Sequence, residues 1–305
     1  MRDFMDGILP LWKERGMTSH DCVFKLRKIL QTKKVGHTGT LDPGVEGVLP
    51  ICIGQATRIA EYLTDAGKMY EAVVSISRTT TTEDAEGDTV EENTTFKSFK
   101  REQILAALQS LTGEIQQTPP MFSAVKVNGK KLYEYARAGQ TVERPTRTVT
   151  IYELELLDDA EKFEGEEVTF SIRIKCSKGT YIRTLAVQIG EALGYPAHME
   201  KLVRTASGTF QKEDCLTLSQ IAKMREEGDN SFLLPIEYAL SDYPSIEIDD
   251  SNRKQISNGQ QLPIHSLLKD NEKIVFTDEG KAFAIYMSHP EKDGMMKLDK
   301  MFPNM

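Results

Sequence analysis

The chain has 305 residues, of which 39% are hydrophobic and 28% are charged, and its formal net charge at pH 7 is −8. This composition is typical of a globular protein and excludes a membrane-spanning one, because no apolar run approaches the length of a transmembrane helix. The length predicts about two domains. The N-terminal segment lacks the apolar region of a signal peptide, so we expect a cytoplasmic protein.

Cysteine and histidine spacing argues against a bound metal or cofactor. The four cysteines lie far apart with no Cys-x-x-Cys pair, which is typical of reduced thiols. The five histidines show no metal-ligand spacing, and neither a Gly-x-x-x-x-Gly-Lys-Ser/Thr loop nor a Gly-x-Gly-x-x-Gly motif occurs. The sequence therefore predicts no metal and no cofactor.

Helical and strand patterns alternate in the first third of the chain. Thr18 or Ser19 can cap a helix that runs to about Leu30, with Val23 and Leu26 in its apolar stripe. The next patterns predict a short helix over 55–66 that Gly67 closes, and a strand over 70–76 that begins at Tyr70. A further helix, capped by Ser98, should run to about Leu111 and face the core with Ile104, Leu105, Leu108 and Leu111.

Residues 36–50, Gly-His-Thr-Gly-Thr-Leu-Asp-Pro-Gly-Val-Glu-Gly-Val-Leu-Pro, form the most informative segment. Pro43 restricts Asp42 to extended backbone, and four glycines let the main chain approach a ligand closely. A carboxylate in such a stiff turn can be aimed at a substrate, with His37 nearby in the chain. Leu-Asp-Pro-Gly is also ordinary turn chemistry, so these residues alone leave a purely structural role open.

A segment over 116–148 interrupts the regular patterns. Prolines and glycines punctuate it and it carries Phe122, Tyr133 and Tyr135, which predicts an insertion that projects from the sheet. Beyond it, the patterns predict strands over 149–157 and 168–176, followed by a helix that begins after Ser177-Lys178-Gly179-Thr180 and ends at Gly194. After Tyr243-Pro244 they predict a small all-β domain over about 244–305, with a hairpin at 274–287.

Basic residues cluster in two places despite the acidic net charge. Residues 25–34 carry five lysines and arginines and no acid, and residues 126–147 carry six against two acids. Charge alone is equally consistent with solvated faces and with surfaces that bind phosphate groups.

Four blocks of the chain share an order and a set of residues with one protein family. The blocks are Gly36–Pro43, Lys68–Ala72, Pro119–Lys126 with Leu132–Arg137, and Cys176–Leu185. They resemble the bacterial tRNA pseudouridine-55 synthases of the TruB type, and the similarity covers most of residues 7–243. The chain departs from the family pattern at Val45-Glu46, at Thr81, where the family has Asp, and at Glu14, where it has Pro.

The resemblance implies an α+β fold, the pseudouridine-synthase fold, with a mixed and mainly antiparallel sheet flanked by helices. It implies a catalytic domain over 1–243 with an RNA-gripping insertion at about 116–148. The tail over 244–305 is similar in size and texture to the family's PUA domain, a small β-barrel-like unit that binds RNA.

The implied reaction isomerises uridine 55 in the T-loop of tRNA to pseudouridine without a cofactor. Asp42 is the implied catalytic residue, and it could attack the base, attack the sugar or remove a sugar proton. Arg183 would pair with it, and Tyr70 would stack on the flipped base. Arg183 and Tyr70 could instead be a surface arginine and a core aromatic. The residues implied to bind substrate or RNA are His37, Gly39, Thr40, Lys68, Lys126, Lys130, Tyr181 and Leu202.

The expected partner is the T-arm of tRNA, and we expect a monomer with no membrane and no obligate protein partner. Two alternatives stay open, a non-catalytic RNA-folding chaperone and a guide-RNA-dependent relative. The basic insertion argues against the second, because standalone members of the family use such a segment to grip tRNA directly.

Overall fold

The computed structural model describes residues 5–302, so residues 1–4 and 303–305 of the two predicted domains lie outside the described residues. The strands are, in chain order, β1 (Gly7–Lys13), β2 (Val35–His37), β3 (Glu46–Ile53), β4 (Lys68–Ile76), β5 (Arg78–Thr80), β6 (Thr89–Glu92), β7 (Lys97–Lys100), β8 (Gly113–Gln117), β9 (Lys126–Val127), β10 (Lys130–Lys131), β11 (Arg147–Leu156), β12 (Lys162–Gly165), β13 (Val168–Cys176), β14 (Ala197–Ser207), β15 (Phe210–Gln211), β16 (Ser245–Glu247), β17 (Leu262–Pro263), β18 (Lys273–Asp278), β19 (Lys281–Ser288) and β20 (Met295–Met301).

Two of the predicted capping residues mark helix ends. Thr18 caps the first helix by accepting a hydrogen bond from the backbone N–H of Asp21, and Gly194 ends the fifth with a φ of 80°. The α-helices are α1 (Ser19–Ile29), α2 (Ala60–Asp65), α3 (Arg101–Ser110), α4 (Leu132–Arg137), α5 (Ile182–Leu193), α6 (Leu218–Glu226) and α7 (Asp250–Ser257), and the 3-10 helices are Gly54–Ile59, Lys212–Asp214, Ile236–Leu240 and Ser266–Lys269.

A mixed sheet with the strand order β1-β3-β14-β4-β13-β11-β8 is the centre of the fold, and β2 and β15 extend it at β3 and β14. Its pairs are antiparallel except β3 and β14, which run parallel with Val203 beside Glu46 and Arg204 beside Gly47. This mainly antiparallel sheet, flanked by helices, confirms the predicted α+β class. It also confirms the strand predicted over 168–176.

Helix α5 is fixed over the sheet by its apolar stripe. Ile182, Leu185 and Ile189 are buried and join the main core with residues of β4 and β14. Burial of one aliphatic side chain contributes about 1.5–3 kcal/mol relative to exposure. This packing therefore sets where the first turn of α5, which carries Arg183, lies above the sheet.

Two details of the helix predicted over 98–111 were wrong. Ser98 lies in β7, opposite Glu164 of β12, so the helix begins only at Arg101. Leu105 is 41% exposed, because the helix buries Ile104 and Leu108 on one face and Leu105 projects about 100° away from Ile104.

The predicted insertion is the connection between β8 and β11, two neighbouring strands of the main sheet. Gln117 and Arg147 lie opposite each other at its base. Between them the chain forms the β9–β10 hairpin, which turns at Asn128-Gly129, and helix α4. The insertion therefore leaves and re-enters the sheet at one place.

Strands β16 to β20 form a second sheet, here called the C-terminal sheet, with the order β16-β18-β19-β20-β17. The predicted hairpin is β18–β19, which turns at Glu279-Gly280. The five strands confirm the predicted small β-barrel-like tail. One helix within it was not predicted, because Asp249 caps α7, which buries Ile256 in the core of this sheet.

The C-terminal sheet packs against β1 and β3 of the main sheet. The buried residues that share this second core include Ile8, Val48, Cys52, Ile59, Leu63, Val275, Ala282, Ile285 and Phe302. Within residues 5–302, no helix combines the length and apolar character that crossing a membrane requires.

Candidate functional site

A cleft of about 270 Å³ opens where the turn that carries Asp42, the start of β4 and the β13–α5 junction meet. It brings together eight residues that the sequence singled out. These are Gly39, Thr40, Asp42, Lys68, Tyr70, Tyr181, Arg183 and Leu202.

The β2–β3 connection holds Asp42 in the turn that Leu-Asp-Pro-Gly predicts. The backbone N–H of Val45 donates to the carbonyl oxygen of Asp42 at 3.0 Å. The backbone N–H of Leu41 donates to the hydroxyl of Ser19 at 2.8 Å, which ties the turn to α1. The Asp42 side chain lines the cleft and is 43% exposed. The turn is therefore both a structural unit and the support of an accessible carboxylate.

A buried lysine holds the same turn. Lys13 is fully buried, and its ammonium group donates to the carbonyl oxygens of Val45 at 2.5 Å and of Glu14 at 3.1 Å. Burial lowers the pKa of Lys13 because the charged form is desolvated. Since the contact with Glu14 is made by its main chain, the departure from the family at this position leaves the arrangement in place.

Gly47, which follows the turn that carries Asp42, lets β3 pass close to β14. Its φ is 134°, and a Cβ there would lie 2.3 Å from the carbonyl oxygen of Arg204. The Arg204 side chain in turn donates to the carbonyl oxygens of Val48 at 2.8 Å and of Gly39 at 3.3 Å. One buried arginine thus connects both flanks of the turn that carries Asp42 to β14.

Asp42 forms an ion pair with Arg183. The distance from Oδ2 of Asp42 to Nη2 of Arg183 is 3.1 Å, and the arginine side chain is only 6% exposed. The guanidinium group also donates to the carbonyl oxygens of Thr82 at 2.8 Å and of Phe122 at 2.9 Å. These anchors pre-orient the guanidinium group, so that it presents one edge to Asp42.

The loop between β5 and β6 supports Arg183. Asp84 lies 3.9 Å from its Nη1 and accepts a hydrogen bond from the hydroxyl of Thr82. The neighbouring Glu83 has a φ of 64°, and its carboxylate accepts a hydrogen bond from the hydroxyl of Thr184 at 2.6 Å. Burial raises the pKa of Glu83. The loop therefore fixes the first turn of α5 through two successive residues of that helix.

The other departures from the family pattern leave this constellation intact. The hydroxyl of Thr81 accepts a hydrogen bond from the backbone N–H of Asp88 at 3.1 Å, which closes the β5–β6 loop. Val45 is buried in the wall of the cleft, and Glu46 begins β3 beside Val203.

Tyr70 forms part of the cleft wall from the centre of the main sheet. It lies opposite Ile174 of β13 and Arg204 of β14 and is 8% exposed. Burial raises the pKa of Tyr70, while the positive charge of Arg204 opposes this rise. The residue therefore offers a flat apolar ring and a protonated hydroxyl to a ligand.

Lys68 enters the cleft at the start of β4. Its ammonium group donates to the carbonyl oxygens of Thr64 and, at 2.6 Å, of Ala66. Burial, reinforced by the positive charge of Arg204, lowers the pKa of Lys68 to about 8. A lysine in this state carries its charge at neutral pH and loses it in mildly alkaline solution.

Gln117 fixes Tyr181 at the entrance to α5. Its side chain accepts from the backbone N–H of Tyr181 at 3.0 Å and donates to the carbonyl oxygen of the same residue at 3.2 Å. Tyr181, directly before α5, and Leu202 of β14 both line the cleft.

Three of the residues singled out in the sequence do not line this cleft. His37 is half-buried at the end of β2, and its Nδ1 accepts a long hydrogen bond of 3.4 Å from the backbone N–H of Gly39. Burial lowers its pKa. Lys126 and Lys130 are exposed on the β9–β10 hairpin of the insertion.

Sequence reasoning missed Arg204 and Lys13. An isolated cation in a sequence is normally read as a surface residue, whereas both are buried here. A signal for Arg204 was present, because it lies two residues after Leu202 and so on the same face of a strand. Within the described residues, no group of three or more His, Cys, Asp or Glu side chains is placed to hold a metal ion.

Two family models match the chain. Residues 27–182 match the TruB family pseudouridylate synthase (N terminal domain), and residues 183–241 match the tRNA pseudouridylate synthase B C-terminal domain. The chain is 57% identical to a tRNA pseudouridine synthase B of Geobacillus thermodenitrificans, over 98% of this chain and 100% of that protein. It is 56% identical to the tRNA pseudouridine synthase B of Listeria innocua, over 97% and 98% of the two chains.

Solved structures agree with this similarity. A chain in the crystal structure of a Cbf5-Nop10-Gar1 complex superposes with a TM-score of 0.70 at 29% identity, over 99% of this chain and 85% of that one. A chain of an H/ACA RNP bound to a substrate RNA containing 2'-deoxyuridine also gives a TM-score of 0.70, at 27% identity over 97% and 84%.

Proposed function

The chain belongs to the TruB family of pseudouridylate synthases, and from this premise we propose that it isomerises uridine 55 in the T-loop of tRNA to pseudouridine, with Asp42 as the catalytic residue. The observation that carries this proposal is the ion pair of Asp42 with a buried, pre-oriented Arg183 in the wall of a cleft.

In the proposed reaction the carboxylate of Asp42 acts in its ionised form. Attack on the base, attack on the sugar and removal of a sugar proton all require a free carboxylate oxygen close to the nucleoside. Arg183 orients this carboxylate through a 3.1 Å contact, and two carbonyl oxygens hold the guanidinium group in place. The geometry is compatible with each of the three routes.

The remaining cleft residues hold the target nucleoside. Uridine must leave its stack in the T-loop, at a cost of a few kcal/mol. The ring of Tyr70 offers a stacking surface, its protonated hydroxyl can help to move the final proton, and Tyr181 and Leu202 close the pocket. His37, beside the cleft, occupies or braces the space that the extruded nucleotide leaves. Gly39, Thr40 and Lys68 contact the nucleotide or its backbone.

The insertion supplies the grip on the T-arm. Lys126 and Lys130 are exposed on its hairpin, and Arg137 lies over the ring of Tyr133 with 5.2 Å between its guanidinium carbon and the ring centroid. Contacts between these cations and RNA phosphates should weaken as the salt concentration is raised. The C-terminal sheet would serve as a PUA-like second surface for the same RNA, with the domain boundary at 243.

We further propose that the protein acts alone in the cytoplasm as a monomer, without a guide RNA. The higher identity to the tRNA pseudouridine synthase B of Geobacillus thermodenitrificans, 57% against 29% for the chain in the Cbf5-Nop10-Gar1 complex, and the exposed basic hairpin support this proposal. Sedimentation of the pure protein with one equivalent of tRNA tests whether one copy of the chain binds one tRNA, as a monomer should.

The test of the proposed function uses unmodified tRNA and three proteins. Wild type should form pseudouridine, Asp42→Asn should bind the tRNA and form none, and Asp159→Asn should behave as wild type. Asp159 is a matched control because it is exposed between β11 and β12, so its change removes the same charge away from the cleft. Product from Asp42→Asn would overturn the assignment of the residue. Binding without product by wild type would identify the chain as a chaperone instead.

A further inference from the structure

Helix α2 bridges the C-terminal sheet and the cleft. It has six residues and no side-chain N-cap, and it buries only Leu63 fully. Isolated helices shorter than about 12–15 residues are marginal in water. The conformation of α2 therefore depends on the groups that contact it.

The C-terminal sheet supplies several of these contacts. The hydroxyl of Tyr62 donates to the carboxylate of Asp299 on β20, and the ammonium group of Lys300 lies 2.7 Å from the carboxylate of Glu61. The ammonium group of Lys273 on β18 lies 5.0 Å from the centroid of the Tyr62 ring. Burial and the Asp299 carboxylate both raise the pKa of Tyr62, so its hydroxyl remains the donor.

The other end of α2 holds the cleft. Thr64 lines the cleft, and its carbonyl oxygen and that of Ala66 accept hydrogen bonds from Lys68. Asp65 forms a salt bridge of 2.8 Å with Lys178, which lies at the cleft beside the start of α5. Two carbonyl oxygens at the C-terminus of α2 thus determine where the Lys68 ammonium group lies.

We propose that the C-terminal sheet positions the ammonium group of Lys68 in the cleft, acting through α2, with Tyr62 as the positioning residue. The sheet is then part of the catalytic apparatus as well as a surface for RNA. The inference rests on the proposed function for its effect on rate, but the coupling between Tyr62 and Lys68 is measurable without turnover.

The coupling is tested by titration of Lys68 in protein selectively labelled with ¹³C-lysine. The Cε signal of Lys68, identified by its loss in Lys68→Met, should titrate near pH 8 in wild type. The other ionisable groups that influence it are Arg204, Cys176, Asp65 and Lys178. In Tyr62→Phe and in Asp299→Ala the titration should move toward the ordinary lysine value, because a displaced ammonium group is less buried. In Asp299→Asn, which keeps an acceptor oxygen, it should stay near that of wild type.

The effect on rate is tested by single-turnover pseudouridine formation at saturating tRNA. Tyr62→Phe should lower this rate about tenfold, because α2 loses its hydrogen bond to the Asp299 carboxylate and the ammonium group of Lys68 is displaced in the cleft. The Kd for tRNA should change less than about twofold. In the Lys68→Met background Tyr62→Phe should cause no further loss, because the two changes act on one group.

The control is Tyr152→Phe, which removes the same hydroxyl group from an exposed residue of β11, outside both the cleft and the C-terminal sheet. It should leave both the Lys68 titration and the rate unchanged. An unaltered titration in Tyr62→Phe, or additive losses in the double variant, would overturn the inference. A wild type that forms no pseudouridine would instead count against the proposed function, and the titration would still decide the coupling.

Discussion

Arg183→Lys keeps the positive charge beside Asp42 but should remove most of the activity. The terminal nitrogen of lysine is one bond closer to the backbone than the Nη atoms of arginine, and its three N–H groups all leave from one atom instead of a planar fork. It cannot maintain all three contacts of Arg183, which are with Asp42 at 3.1 Å, Thr82 at 2.8 Å and Phe122 at 2.9 Å. A lost hydrogen bond between charged partners costs about 1.5–3 kcal/mol, which corresponds to a rate about 10- to 100-fold lower.

The assay is single-turnover pseudouridine formation at saturating tRNA, with Kd measured separately by filter binding. Arg173→Lys is the matched control, because Arg173 pairs with Glu71 and Glu155 on the exposed face of β13, where ion pairs contribute little. Arg183→Lys with a rate within about twofold of wild type would refute the claim that the shape of the guanidinium group, beyond its charge, holds Asp42.

Three further predictions follow from the same geometry. Gly47→Ala should lower the free energy of unfolding by about 3 kcal/mol, because the new Cβ meets the Arg204 backbone. In the control Gly36→Ala the nearest neighbour of the new Cβ is 4.0 Å away, so the free energy of unfolding should change by less than about 0.5 kcal/mol. Urea unfolding measures both variants. The saturated rate of wild type should fall as pH rises through about 8, where buried Lys68 loses its proton, and a pH profile of Lys68→Met with the same fall would exclude this origin. Deletion of 124–146 leaves a short loop between two paired strands, so the protein should fold by circular dichroism but lose tRNA binding, and retained affinity would count against the grip of the insertion.

Local patterns in the sequence were sufficient where one face of an element is buried and the other exposed. The strict alternation of β13 and the stripe of α5, ended by Gly194, allowed their bounds to be predicted closely. The turn at Asp42 and the β18–β19 hairpin followed from residues whose φ preferences are strong.

Elements buried on both sides were not predicted. β1 and β3 carry Pro10 and Pro50, which lie opposite each other in the sheet, and a proline normally argues against a strand. Both strands pack into cores on each face, so their apolar runs show no period of two.

The candidate site could be predicted only through the four blocks that resemble the TruB family. Asp42 and Arg183 are 141 positions apart, and no local pattern announces that they meet at 3.1 Å. The buried cations Lys13 and Arg204 were missed because their partners are backbone carbonyl oxygens, which leave no trace in side-chain composition.

The central claim is that this cleft isomerises one uridine of the T-loop by means of Asp42. The most direct measurement is position-resolved mapping of pseudouridine in an unmodified tRNA transcript after incubation with the pure protein and no other RNA. We predict pseudouridine at position 55 alone with wild type and at no position with Asp42→Asn. Modification at another uridine, or at position 55 by the variant, would contradict the account.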